Sequence, residues 1–194
     1  FCIALTLMVA TAGFGIPTVH GSVTSSSFPT QKNYGGLKWS LNLGTGYTDA
    51  PTPPLVHGNY VYVGTNQTLR KLDKNTGKEV GQLTLVDTFG YATAALTYAE
   101  NVDGKNIIFA PISEGRVQAI DADTMKSLWV TQKYVGQSCL SRVTYDNGYL
   151  YFGTWKTDKT DGYFFCYSAT DENATTAIER KTPTWTVAHT GGFY

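Results

Sequence analysis

Charge is scarce in this chain of 194 residues: Asp, Glu, Lys and Arg make up 15%, against about a quarter in typical soluble domains. The 15 cationic and 15 anionic side chains cancel. A nucleic-acid binder needs a basic stripe, so that class is excluded. A charged disordered tail is absent too, and 42% hydrophobic residues are enough to build a core. There are only 2 Met and few long helix formers, which argues against a helical bundle. With 3 His in all, no His-Glu-x-x-His forms, and no Gly-x-Ser-x-Gly elbow is present. No Gly-rich loop opens a helix, so nucleotide binding lacks its platform. What the chain does hold is 20 Gly, 7 Pro and 13 Tyr, the material of strands and tight turns.

The first residue is Phe, and Phe1 to Ile16 is an uncharged apolar run. It is too short to span a bilayer comfortably. It reads as the h-region of a secretory signal lacking its basic start, over residues 1–20, with Ala10-Thr11-Ala12 as a small-x-small cleavage site. A buried N-terminal strand or helix is the alternative. A polar, flexible linker follows over 21–36, with Ser25-Ser26-Ser27 and Phe28-Pro29. The expected location is therefore secreted or at the cell surface, with no transmembrane helix in the mature part. The far end, Gly191-Gly192-Phe193-Tyr194, carries no polar tail, and a fragment cut at both ends is expected.

Of the cysteines, Cys2 would leave with a signal, which leaves Cys139 and Cys166. The strand pattern puts them on the first and third strands of one sheet. Such strands lie roughly 10 Å apart, too far for a disulfide, so two buried free thiols are expected.

Three segments share one grammar. Turn glycines Gly58, Gly104 and Gly148 lie 46 and 44 residues apart, and Asp73, Asp121 and Asp171 lie 48 and 50 apart. A period in the mid-forties fits one four-stranded propeller blade. In each unit a strand meets a Gly turn (His57-Gly58-Asn59, Asp103-Gly104, Asn147-Gly148) and an aromatic, β-branched strand follows. The third strand is expected to end at the repeated Asp. Its carboxylate caps the next turn, where Gly77 takes the left-handed position. Tyr60 and Tyr62 alternate with Val61 and Val63, so both faces are apolar, as in a blade squeezed between neighbours. The fold class is all-β: a partial β-propeller of about three four-stranded antiparallel blades, over 50–87, 92–133 and 138–190. Residues 37–43, with Trp39, form a closing strand that begins the 37–194 repeat region. A β-sandwich with coincidental spacing is the alternative.

Ala119-Ile120-Asp121-Ala122-Asp123-Thr124-Met125-Lys126-Ser127-Leu128-Trp129 resembles the tryptophan-docking motif of pyrroloquinoline-quinone (PQQ) repeat propellers, with Met125 where that motif has Gly. Leu72-Asp73-Lys74-Asn75-Thr76-Gly77-Lys78 resembles the same motif with its Trp lost. Within this superfamily of quinoprotein alcohol dehydrogenase-like proteins, Lys181-Thr182-Pro183-Thr184-Trp185 and the chain ending resemble the exported cell-surface subgroup. The resemblance implies that Trp39, Trp129 and Trp185 pack between adjacent blades.

True quinoprotein dehydrogenases hold PQQ with a stacked Trp, often a vicinal disulfide, and Ca²⁺ on acidic and amide side chains. This chain has no Cys-Cys pair. Asp121, Asp123 and Asp171-Glu172-Asn173 are hard-ligand types, but turn capping already explains them. No catalytic, cofactor-binding or metal-binding residue is assigned, and PQQ enters by resemblance alone. Tyr91, Tyr98, Tyr134, Tyr145 and Trp155 lie near strand ends or turns, where packing between blades accounts for most of them. Trp155 opens the longest turn, 154–162, and is the best candidate for stacking on a ligand. The expectation is an exported non-enzymatic propeller binding protein or carbohydrate at the cell surface. The alternative is a piece of a PQQ-dependent dehydrogenase whose cofactor residues lie in other blades.

Overall fold

The computed structural model describes residues 36–44, 50–90, 94–156, 162–176 and 178–191. The signal-like run 1–20, the linker up to residue 35, and residues 157–161 of the longest turn lie outside them. The chain divides into two units, Phe1–Ser40 and Leu41–Tyr194, and every strand among the described residues lies in the second.

The first blade is β1 (Leu55–His57), β2 (Tyr60–Thr65), β3 (Thr68–Asp73) and β4 (Glu79–Thr84), antiparallel in that order. The second holds β5 (Thr97–Val102), β6 (Lys105–Ile112), β7 (Arg116–Asp121) and β8 (Lys126–Thr131). A short strand, β9 (Gln137–Ser138), follows. The third blade begins with β10 (Thr144–Asp146) and β11 (Tyr149–Gly153); β12 (Trp155–Lys156) then pairs with β9 as a small ribbon. β13 (Gly162–Ser168), β14 (Glu179–Lys181) and β15 (Trp185–His189) complete the chain. The third sheet runs β10-β11-β13-β15.

Alternation explains why blade two is the centre of the core. Ile107 and Phe109 of β6 face blade three, where they meet Leu150, Phe165 and Tyr167. Ile108, Ala110 and Ile112, one residue out of phase, face blade one and pack with Tyr62 and Leu69. A strand with period-two side chains and both faces buried must lie between two other sheets. Each blade is therefore a wedge sharing one apolar layer with the next.

Four expectations need correction. Residues 36–44 form no strand, so the closing strand expected over 37–43 is absent: its alternating side chains have no hydrogen-bonded ladder to join. Blade two has five strands rather than four. β14 leaves the third repeat and pairs in parallel with the outer edge of β8, Glu179 opposite Trp129 and Lys181 opposite Thr131. Cys139 is not on the first strand of blade three but just beyond β9, although both it and Cys166 are buried free thiols. Finally, β13 ends at Ser168, before Asp171.

Candidate functional site

The turn after each third strand shows how the repeat is built. In blade one, Asp73 Oδ1 accepts from the N–H groups of Asn75 and Thr76 at 3.0 and 2.8 Å. In blade two, Asp121 Oδ1 accepts from Asp123 and Thr124 at 2.9 and 3.0 Å. In blade three the Thr170 N–H donates to Ser168 Oγ at 3.3 Å. The residue after each anchor donates its N–H to the first hairpin of its blade, in the turn or at the start of the second strand: Lys74 to Asn59, Ala122 to Asn106, Ala169 to Gly148. The true equivalents are thus Asp73, Asp121 and Ser168, and Asp171 is not one of them. A hydroxyl does the carboxylate's work, more weakly. Asp171 instead reaches back to blade two, with Oδ2 at 3.1 Å from Lys105 Nζ.

The donated hydrogen bonds hold the Asp73 carboxyl below its ordinary value, chiefly the Thr76 hydroxyl and then the Thr76 N–H. Gly77 takes φ +70° in this turn, as expected. Its counterpart Met125 takes φ +54°, a left-handed conformation that costs an L side chain about 1–2 kcal/mol.

Register places three residues of each blade in matching rows. They are Tyr62, Lys71 and Gly81 in blade one, and Phe109, Ala119 and Trp129 in blade two. In blade three they are Tyr151, Cys166 and Trp185. Trp129 has 0% exposure. Its indole N–H donates to the Ala169 carbonyl of blade three at 3.2 Å, and its ring lies 5.8 Å from Phe109 and 5.1 Å from Lys181 Nζ. Lys181 is itself buried, donating to the Thr170 carbonyl and lying 3.3 Å from Glu172. β14 thereby clamps blade two to blade three over the indole.

Blade one solves the same problem with other atoms. Gly81 stands where the indole would be, and a Cβ there would meet Met125 Cγ at 3.1 Å. The acceptor is again the carbonyl after the anchor, Ala122. It receives Lys71 Nζ at 2.8 Å and the Tyr62 hydroxyl at 3.3 Å. Lys71 Nζ sits 4.2 Å from the Tyr60 ring centre and 5.8 Å from that of Tyr62. Carbonyl acceptors and aromatic faces together offset the cost of burying this ammonium.

Burial, then Tyr98, Asp123 and Tyr60, push the Tyr62 hydroxyl well above its ordinary value of 10.0. Burial does the same, foremost, for Tyr167. Both remain neutral in the fold at pH values where the unfolded chain ionises. The stability this represents is complete below pH 10 and is lost as pH rises, at about 1.4 kcal/mol per group per pH unit. Urea unfolding should therefore show stability level near pH 8, beginning to fall above about pH 9 as the unfolded Cys139 and Cys166 thiols ionise, and falling faster above about pH 10. Tyr62→Phe and Tyr167→Phe should each flatten that fall.

The sequence-predicted positions divide as follows. Trp129 is seated between blades. Trp185 holds the docking register but is 43% exposed, 6.2 Å from Tyr151 and 6.0 Å from Phe164. Trp39 is half-buried within the first unit and lies on no strand. Trp155 is half-buried on β12 opposite Ser138, in the ribbon rather than in an open turn. Nearby, the Tyr134 ring packs at a tilt against Tyr163 and Phe165, with centres 5.4 and 4.6 Å apart. Sequence reasoning missed Lys71, Lys181 and Tyr62. Tyr62 and Lys71 alone had a signal, standing on one face of a segment whose docking Trp is missing.

Burial pushes the Cys139 thiol up to about 12 and the Cys166 thiol upward as well, so neither is a ready nucleophile. Arg116 at the rim is paired with Asp87 at 2.7 Å. Trp129 is fully buried, with its N–H on the Ala169 carbonyl and Lys181 over its ring. Among the described residues no group of three or more His, Cys, Asp or Glu could hold a metal ion, and no helix is long and apolar enough to cross a membrane.

No family model matches the chain, and no curated protein matches it. Solved structures do. A quinohemoprotein alcohol dehydrogenase from Comamonas testosteroni is 19% identical with a TM-score of 0.58, over 79% of this chain and 23% of that one. A europium-containing methanol dehydrogenase is 20% identical with a TM-score of 0.53, over 74% and 26%. BamB from Moraxella catarrhalis is 20% identical with a TM-score of 0.48, over 66% and 41%. This chain spans about a quarter of the length of the two dehydrogenases. With three blades in register and the indole of Trp129 seated on its neighbour, the fold is that of a β-propeller in part, similar to parts of these two dehydrogenases.

Proposed function

We propose that the chain belongs to an exported, non-enzymatic β-propeller that serves as a protein- or carbohydrate-binding scaffold at the cell surface. The observation that carries this reading is where the reactive groups have gone. The Asp73 and Asp121 carboxylates cap turns, Lys71 and Lys181 join blades, and both thiols are buried. A rigid frame with its chemistry spent on architecture suits recognition, and aromatic groups at rims bind at low entropic cost. The Trp155 ribbon beside Tyr134 and Tyr163 is the rim feature that fits a sugar ring or a peptide. The signal-like start supports export. Full-length protein on a glycan array and against purified envelope proteins should bind, and Trp155→Ala should weaken binding at least fivefold. No binding, together with dye-linked alcohol oxidation, would reject the reading.

The names of the two dehydrogenases favour a second reading, a piece of a PQQ-dependent oxidoreductase. Adding PQQ with Ca²⁺ to the full-length protein tests it. A rise in Tm of several degrees supports this reading, and an unchanged Tm removes it.

A further inference from the structure

We infer that Asn173 is an acceptor for an N-linked glycan. The inference rests on the export half of the proposed function, because such glycans belong to exported proteins. The pattern Asn-x-Ser/Thr marks an acceptor, and the chain holds it at Asn66-Gln67-Thr68 and at Asn173-Ala174-Thr175. The structure separates the two. Asn173, Ala174 and Thr175 are all exposed, in the connection between β13 and β14. The Thr175 hydroxyl donates to Asn173 Oδ1 at 2.8 Å, so the two side chains that define the acceptor stand together on one surface. Asn173 Nδ2 donates no hydrogen bond among the described residues. Thr68, by contrast, is half-buried inside β3 and makes no hydrogen bond to Asn66 among the described residues.

Access separates them as well, since a transferase must draw the acceptor segment into its own site. Around Asn173 that breaks only the exposed bonds of one turn: its N–H on Glu179 Oε2 at 3.0 Å, its carbonyl under the Thr176 N–H at 2.9 Å, and the Thr175 hydroxyl. Exposed turn bonds open at little cost. Around Asn66 it means opening blade one. Thr68 pairs with Thr65 on one side and Thr84 on the other, the Gln67 amide donates to the Leu85 carbonyl at 2.8 Å, and the Asn66 carbonyl accepts from the Phe89 N–H at 2.7 Å. The second substrate is a lipid-linked oligosaccharide pyrophosphate. Asn173 Nδ2 forms a bond to the anomeric carbon of its first sugar, and the bond from that carbon to the pyrophosphate oxygen breaks. The lipid pyrophosphate leaves with the electron pair, and one amide proton passes to a base of the transferase. Residues 172–176 belong to no strand, so the glycan leaves every ladder intact.

The test uses the folded 194-residue chain, a purified oligosaccharyltransferase and a lipid-linked oligosaccharide, with occupancy at each site read by mass spectrometry of the peptides. Asn173 is expected to carry the glycan, with occupancy at Asn66 at least tenfold lower. Thr175→Val should reduce occupancy at Asn173 at least tenfold, and Thr175→Ser should retain most of it. An unmodified chain, equal occupancy at the two asparagines, or a Thr175→Val chain modified as fully as wild type would overturn the inference. The comparison of the two sites needs only the wild-type chain, so the test survives a variant that fails to fold. Export is read separately, from the compartment in which the full-length protein lies in its own cells. A cytoplasmic protein whose Asn173 is modified by the purified transferase removes the export reading and leaves the acceptor. An exported protein with a bare Asn173 removes this inference alone.

Discussion

Trp129→Ala is expected to destabilise the protein by about 3–5 kcal/mol, whereas Trp185→Ala, the same substitution in the same register one blade later, should cost less than about 1 kcal/mol. The difference comes from what covers each ring. Trp129 has no exposed surface and touches Phe109 and Lys181, and its indole N–H is the donor to the Ala169 carbonyl. Truncation opens a cavity between two sheets and leaves that carbonyl without its partner. Trp185 is 43% exposed, so its removal takes little surface out of the core. Against a typical total of 5–15 kcal/mol, the first loss is a large fraction of folding stability. Urea unfolding of the two variants side by side measures both. Equal losses would mean that the two rows are not equivalent environments of one repeat.

Much of this arrangement was legible in the residues. Turn glycines and alternating aromatic strands marked all three blades, and the Asp-x-x-Thr turn marked two of them, because hairpins and capped turns are local and leave local marks. Trp129 carried its role in its motif. Other parts were hidden for physical reasons. The anchor of blade three was read as Asp171 because an aspartate looks like the repeat, yet Ser168 makes the same bond with a hydroxyl. The spacing from Asp121 to Ser168 is 47 residues, nearer the 48 from Asp73 to Asp121 than the 50 to Asp171, and that was a usable signal. β14 had none. Glu179-Arg180-Lys181 is polar and three residues long, and its partner lies in another blade. The strand at 37–43 failed in the opposite sense: alternation was present, but a ladder needs a second strand. As for the site, Trp155 was singled out for its place at the start of a long turn, but the structure sets it on β12 opposite Ser138, a pairing between segments that leaves no local mark.

The interface of blades one and two makes a sharper expectation, because Lys71 and Gly81 of blade one and Met125 of blade two share one space and compensate one another. Gly81→Trp alone restores the motif residue but drives an indole into Met125, whose Cγ already lies 3.1 Å from where a Cβ would be. Overpacking of this kind should cost about 3 kcal/mol. Lys71→Ala alone removes the ammonium from the Ala122 carbonyl and the Tyr60 ring, a loss of about 2–3 kcal/mol. Met125→Gly empties an apolar space but relieves the positive φ, and should cost about 1–2 kcal/mol net. Made together, the three changes give blade one the Trp and Ala that blade two carries at the matching positions, Trp129 and Ala119, and clear Met125 from their path. The indole fills the volume vacated by Met125 and Lys71, and its N–H can reach the Ala122 carbonyl as Trp129 reaches Ala169. The triple variant should therefore lie within about 1 kcal/mol of wild type, which requires a coupling energy of several kcal/mol among residues that share one cavity. Chemical denaturation of the singles and the triple gives that coupling directly. Additive losses would show that Lys71 and Met125 belong to a different interface geometry, and that blade one docks by its own rule.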